Sequence, residues 1–307
     1  MKDISTVHII GMGALGMFLG AQIMEARPDA DVRFVMDPAR YEKHKDDVHK
    51  VNGELRDFPL LSTDDQTAAD LIILTVKYPS MESALDVMAG SVGDGTVILS
   101  AMNGITTEKI LSDRFGEEHV IYAVAGGMDA MSFGTDLTFT QRGWLQLGMP
   151  DTDDDPRVAR VYDFLKVMPM NVQDLGKGIV RAMWYKFMVN VSINQTCMVF
   201  DADYEKALEK GSVSAAINTA AMREVIALAN AEGVDLGEAD MITCLNMIAG
   251  LDPHATPSMG QDRINKKPSE VDLFAGVVID MADKYGIPVP ANECLYKGAR
   301  EAEKEYL

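Results

Sequence analysis

Residues 7–16 constrain the fold most. Val7-His8-Ile9-Ile10 is a short, mostly apolar strand pattern, and it runs directly into Gly11-Met12-Gly13-Ala14-Leu15-Gly16. A helical pattern follows from Leu15 to about Glu25. Strand, GxGxxG turn and helix in this order form the fingerprint of a dinucleotide-binding βαβ unit. Gly11 permits the tight turn, Gly13 lets backbone approach a pyrophosphate, and Gly16 lets helix and strand pack closely. Amide groups at the helix N-terminus then face the phosphates. A second strand pattern, Val32 to Met36, ends at Asp37. An acid at that place bonds the ribose 2′-hydroxyl and disfavours a 2′-phosphate, whereas Arg40, three residues on, is suited to accept one. NAD and NADP are therefore both open, with Asp37 favouring NAD. The plainer alternative for Asp37 is a loop acid before Pro38.

Residues 40–50 are charged and read as an exposed helix or loop. The apolar run Leu71 to Val76 suits a parallel strand buried on both faces, with Lys77 at its carboxyl end, the edge where open parallel sheets bind ligands. Val97 to Ala101 is a similar run and brings Asn103 to the same edge. Val120 to Ala125 is a third, ending in Gly126-Gly127. Alternation between Leu137 and Leu147, with Gly143 at the turn, predicts a hairpin appended to the sheet. In the acidic stretch Asp151 to Pro156, an exposed turn with Asp155 as helix N-cap and Pro156 in the first helical position is favoured over a calcium loop. A helix near Val158 to Val167 and a short strand at Asn171-Val172 close this half.

Beyond Gly178 the chain shows helices and almost no strand signal, which sets a boundary near residue 176. The expectation is an α/β chain: a Rossmann-type dinucleotide-binding domain over residues 1–176 and an all-α domain over 177–307. Two domains also suit 307 residues. The second domain opens with Trp184 to Asn194, WYKFMVNVSIN, taken as one helix. Lys186, Asn190 and Asn194 stand four apart, so they share a face, among Phe187, Met188, Val189, Val191 and Ile193. A helix this apolar is buried, and a buried ammonium tends to lose its proton. The bland reading is a snorkelling lysine with two amides satisfying nearby backbone. Further on, a helix spans Ser214 to Glu232 and stops at Gly233. Thr256 to Asp262 is polar and turn-rich. Ser269-Glu270-Val271-Asp272 after Pro268 resembles a capping box that opens a helix running to Lys284 and ending at Gly286.

Composition narrows the function classes. A net charge of −19 argues against general affinity for nucleic acid or an anionic membrane. The three cysteines, Cys197, Cys244 and Cys294, are far apart, which fits a reducing cytoplasm rather than a disulfide framework or zinc site. The five histidines form no HxxxH or HExxH pattern, so no metal site is expected. The N-terminus lacks the pattern of a signal peptide, and no run reaches membrane-helix length.

Together these pieces resemble the ketopantoate reductase (2-dehydropantoate 2-reductase) family over nearly the whole chain. The resemblance lies in GMGALG at Gly11 to Gly16, TVK at Thr75 to Lys77 and Asn103-Gly104. It continues in Lys186-x-x-x-Asn190-x-x-x-Asn194, Ser258-Met259, Gln261-Asp262 and Ser269-Glu270-x-Asp272. The glycine turn is common to many dehydrogenases; the lysine–asparagine helix with the later elements in order is far more specific. What the resemblance implies is hydride transfer from NADPH or NADH to the ketone of 2-dehydropantoate, giving pantoate, as in pantothenate and coenzyme A biosynthesis. Lys186 would be the general acid, with Glu270 beside it on the substrate's distal hydroxyl. Asn190, Asn194, Ser258 and Asn103 would bind substrate. Gly11, Met12, Gly13, Ala14, Leu15, Gly16, Asp37, Arg40, Lys77, Asn103 and Glu270 would contact cofactor. Asp262 would be structural.

Three departures stand out. Met102 occupies a place where the family often has histidine or glutamine. Asp37 stands where NADP-using members carry a basic residue. Gln195-Thr196 follow Asn194 where proline or small residues are frequent. Rival readings are a reductase of another 2-oxo acid, or of an imine as in opine dehydrogenases, and a non-catalytic nicotinamide sensor, which would have a disrupted stripe. The partner expected is a small 2-oxo acid; a homodimer is only the commonest oligomer.

Overall fold

The protein is described by a computed structural model covering residues 2–307. It forms two compact units, the first ending at Val180 and the second spanning Arg181–Leu307.

The first unit is built on an eight-stranded sheet. Its order is Asn171–Asp174, Arg142–Gly148, Val120–Met128, Val97–Ser100, Leu71–Leu74, Thr6–Ile10, Asp31–Met36 and Leu60–Ser62. The six strands from Val120–Met128 to Leu60–Ser62 are mutually parallel, and Arg142–Gly148 runs antiparallel to its neighbour. All four side chains of Leu71–Leu74 are buried, as are those of Val97–Ser100. This is the two-faced burial of a central parallel strand. Helix Ala14–Ala26 covers one face. Asp155 caps helix Pro156–Leu165, its carboxylate accepting the Arg157 N–H at 2.7 Å.

Two sequence expectations fail here. The hairpin between Leu137 and Leu147 does not form. Asp136–Thr138 pairs instead with Met131–Phe133 and His49–Val51 in a separate four-stranded sheet, while Arg142–Gly148 pairs with Val120–Met128. Gly143 lies inside its strand at φ +61°, so close to its neighbour that a Cβ would stand 2.2 Å from the Gly126 carbonyl. The charged stretch after Arg40 is also not simply surface. It contains helix Pro38–His44 and then a strand, with His49 buried.

The second unit is helical. Helix Gly178–Val189 enters it and continues through a widened π turn, Asn190–Asn194, into helix Gln195–Phe200. Helix Val213–Ala231 packs on helix Pro290–Tyr306 through Ala221, Ala291 and Leu295. Glu224 on the first of these accepts the Ala291 and Asn292 N–H groups at 2.8 and 2.9 Å, so a neighbouring carboxylate satisfies orphan amides at the start of the last helix. A second π turn, Asp272–Gly276, leads into helix Val277–Tyr285, which ends at Gly286 in the left-handed region as its sequence implied.

The capping box at Ser269 does not form. Ser269 N–H is taken by Glu303 Oε1 at 2.8 Å, and the Ser269 hydroxyl accepts from Val271 N–H. Asp272, expected to reach back, instead accepts from Tyr296 Oη at 3.0 Å and pairs with Arg300.

Among the described residues no helix is long and apolar enough to cross a membrane.

Candidate active site

Each unit carries its own cluster of candidate residues. In the first, Gly11 sits at φ +106°, against Thr75 and Val76 of the adjoining strand end. The Thr75 hydroxyl donates to the carbonyls of Ile10 and Gly11 at 3.1 and 2.9 Å, pinning the glycine turn to the neighbouring strand. A Cβ on Gly16 would lie 1.9 Å from the Gly11 carbonyl oxygen, so only glycine fits. At Gly13 a Cβ would meet nothing within 4 Å. The close approach of helix and strand thus falls at Gly16, and open space falls at Gly13, the pattern a pyrophosphate-binding turn requires. Gly13 is also the N-cap of helix Ala14–Ala26, and among the described residues no side chain caps that end. The chain therefore offers backbone amides and helix-dipole charge at the one place where a dinucleotide phosphate would need them.

Beside this turn a small open depression runs between strand ends, with Gly11, Met12, Asp37, Arg40 and Val76 among its lining residues. One Asp37 carboxylate oxygen caps helix Pro38–His44 by accepting the Arg40 N–H at 2.9 Å, and the residue lines the depression as well. The loop-acid alternative is therefore replaced by a capping role. Ser80 and Ser83 line the same depression; neither they nor the pinning role of Thr75 was legible, because each acts through a neighbouring strand or helix rather than through local spacing. Lys77 is exposed and Asn103 half-buried, and the two follow the hydrogen-bonded strands Leu71–Leu74 and Val97–Ser100 at one sheet edge.

In the second unit, Lys186 lies in the last turn of helix Gly178–Val189, and Asn190 and Asn194 bound the π turn. Residues four apart drift by about 40° around an α-helix of 3.6 residues per turn. A π turn closes i→i+5 and winds back the other way, so it returns Asn194 toward the line of Lys186. Trp184 to Asn194 is thus one helical run, but not one α-helix. Two polar side chains serve the widened turn: Ser192 donates to Met188 O at 2.8 Å, and the Gln195 carboxamide donates to Val191 O.

Asn190 and Asn194 are buried. The Asn194 amide donates to Asn190 Oδ1 at 3.3 Å and to Ser258 Oγ at 3.1 Å, so the stripe meets Ser258, which opens helix Ser258–Ile264 where the sequence suggested a turn. Glu270 is buried at 7% exposure. Desolvation draws the Lys186 ammonium down to about 8, and the Glu270 carboxylate opposes that fall. An amine poised near neutrality can both donate a proton and stabilise a growing oxyanion. Ser258, Asn190, Asn194, Lys186 and Glu270 therefore form one polar cluster in the second unit.

Known proteins bear on both units. Residues 7–151 match the family model described as "Ketopantoate reductase PanE/ApbA", and residues 178–303 match "Ketopantoate reductase PanE/ApbA C terminal". A 2-dehydropantoate 2-reductase of Streptococcus pyogenes serotype M6 is 25% identical over 293 residues, spanning 92% of this chain and 93% of that protein. A PanE/ApbA family ketopantoate reductase from Ralstonia eutropha superposes with TM-score 0.84 at 24% identity, covering 98% of this chain and 99% of that one. D-mandelate dehydrogenase in complex with NADH gives TM-score 0.86 at 21% identity, covering 98% and 100%.

A doubly wound parallel sheet opened by a glycine turn and followed by a helical unit, matched along both parts by the family models, defines a nicotinamide-dependent oxidoreductase acting on CH–OH groups. The chain belongs to the ketopantoate reductase family.

Proposed function

We propose that the protein reduces the ketone of a 2-oxo acid to the 2-hydroxy acid, with 2-dehydropantoate as substrate and pantoate as product. In this reading residues 1–176 hold the dinucleotide and residues 177–307 hold the oxo acid. The bound nicotinamide supplies the hydride. The glycine turn, with Met12, Ala14 and Leu15, cradles the pyrophosphate; Asp37 and Arg40 meet the adenosine ribose; Lys77 and Asn103 complete the nucleotide side. As hydride reaches the substrate's carbonyl carbon, the Lys186 ammonium stabilises the charge growing on oxygen and passes its proton there. Asn190, Asn194 and Ser258 orient the oxo acid, and Glu270 accepts a bond from its distal hydroxyl while keeping Lys186 protonated.

The observation that carries this reading is the cluster of one lysine near pKa 8 with a buried carboxylate, two buried amides and the Ser258 hydroxyl. Burying such groups costs stability unless they are paired, and the Asn194 amide is paired with Asn190 and Ser258. A carboxylate and a hydroxyl in the site favour a hydroxylated substrate over a bare one.

The test is oxidation of NADH and of NADPH by the purified protein with 2-dehydropantoate, beside a panel of other 2-oxo acids. Turnover with 2-dehydropantoate well above the panel is expected, and Lys186→Ala should cut it at least about a hundredfold, the scale of a lost general acid. Turnover confined to another oxo acid would keep the reaction and replace the substrate. The ratio of the two cofactors tests Asp37 in the same experiment, since an acid there favours NADH where family members with a basic residue favour NADPH.

A further inference from the structure

Gln195 follows Asn194 directly and is fully buried. Its side chain joins the two widened turns of the second unit. The carboxamide nitrogen donates to Val191 O inside Asn190–Asn194. The carboxamide oxygen accepts the Ala275 N–H at 3.1 Å inside Asp272–Gly276. That N–H is the one the second turn leaves over. In an α-helix Ala275 would bond Val271 O, but Gly276 N–H has taken that oxygen at 3.0 Å. Glu270 forms the foot of the same turn, its carbonyl accepting Leu273 and Phe274 N–H at 3.0 and 3.1 Å. The aromatic rings of Phe187 and Phe274 meet alongside, with centroids 6.5 Å apart. One side chain thus connects the turn that carries Asn190 and Asn194 to the turn whose first amides bond the Glu270 carbonyl. A proline or small residue at position 195 could do neither job.

We propose that Gln195 is a positioning residue that locks the amide stripe in register with Glu270, and through Glu270 sets the charge environment of Lys186. This rests on the reading of Lys186 and its neighbours as the oxo-acid site. The nucleotide side does not depend on it. A merely structural glutamine would affect folding stability alone.

The test is Gln195→Met, which keeps length and loses both bonds. Without any substrate, two signals should change: hydrogen exchange at Ala275 should quicken at least tenfold, and the side-chain amide NMR resonances of Asn190 and Asn194 should shift. With the 2-oxo acid that the wild type reduces, its KM should rise at least tenfold. On an Asn194→Ala background the same change should add less than twofold, since both act through one register. Unmoved asparagine resonances, or a full tenfold effect on that background, would overturn the proposal. If the wild type reduces no 2-oxo acid, the function reading fails, and exchange and resonances still decide the register. Should Gln195→Met not fold, Gln195→Glu takes its place. Its protonated carboxyl reproduces both bonds and its ionised form only the acceptor. The asparagine resonances should then titrate with that carboxyl, and pH-independent resonances would refute the proposal.

Discussion

Replacing Glu270 by Gln removes the one charge that raises the Lys186 pKa and leaves the desolvation that lowers it. The wild-type balance falls at about 8, against an ordinary 10.5. A unit charge at about 6–10 Å in an effective dielectric of ~20 contributes roughly 1.7–2.8 kcal/mol, or about 1.2–2 pKa units. The Lys186 pKa in Glu270→Gln should therefore drop to roughly 6–7. The sign of the kinetic effect follows from the role. In the proposed role reduction needs the ammonium, so wild-type kcat should be flat below about 8 and decline above it. In Glu270→Gln the decline should begin more than a unit lower. At pH near 8 the protonated fraction falls from about a half to below about a tenth. The reverse oxidation needs the neutral amine, so its rising limb should move down by the same amount. The assay is a pair of kcat–pH profiles, one in each direction, with saturating substrate so that weakened binding does not intrude. A basic limb that stays at its wild-type position, or moves upward, would show that Lys186 is not the titrating donor or that Glu270 does not govern it.

Three other outcomes are expected. Asp37→Ala should lower the ratio of NADH to NADPH kcat/KM at least tenfold and also cost about 1 kcal/mol of stability through the lost Arg40 cap; an unchanged ratio would remove Asp37 from the ribose. Gly16→Ala should prevent folding of the first unit, since its Cβ would overlap the Gly11 carbonyl, whereas Gly13→Ala should fold normally and lose cofactor affinity, because only the space in front of it is filled. Calorimetry of both with cofactor titration separates these, and equal folding would refute the assignment. Glu108, 3% exposed, is pushed up to about 8 by burial. Its folded-state pKa exceeds the unfolded 4.5, so the unfolded chain loses its proton first and stability falls as pH rises from about 4.5 to 8. The ceiling on that loss is about 5 kcal/mol at 1.36 kcal/mol per unit. Thermal melts of Glu108→Gln should show a shallower decline over this range than the wild type, and parallel curves would contradict the buried, protonated state.

What could be read in the sequence was whatever a short stretch of chain decides for itself. The glycine turn was legible because the close contact of Gly16 with Gly11 and the positive φ of Gly11 leave no other residue type there. Leu71–Leu74 was legible because a strand covered on both faces has no reason to alternate. The lysine–asparagine stripe was legible as spacing, but its π turn was not. The hints were Ser192 and Gln195, polar residues in an apolar run whose partners are carbonyls of that run and, for Gln195, an amide 80 positions away. Distance along the chain explains the errors too. Asp136–Thr138 and Arg142–Gly148 are neighbours in sequence with hairpin-like alternation, yet each finds a better partner elsewhere. Three-residue strands such as His49–Val51 are too short to show any period. At Ser269 local logic favoured Asp272 as the capping acid, but Glu303, 34 positions on, reaches the amide first, and Arg300 and Tyr296 draw Asp272 away. The substitution of a local cap by a tertiary one has a chemical consequence. Residues on both sides of Glu270 are tied to the final helix, so the carboxylate that tunes Lys186 is anchored by the far end of its own unit. A truncation that removed Glu303 and Arg300 should therefore alter the pH dependence of turnover as well as stability.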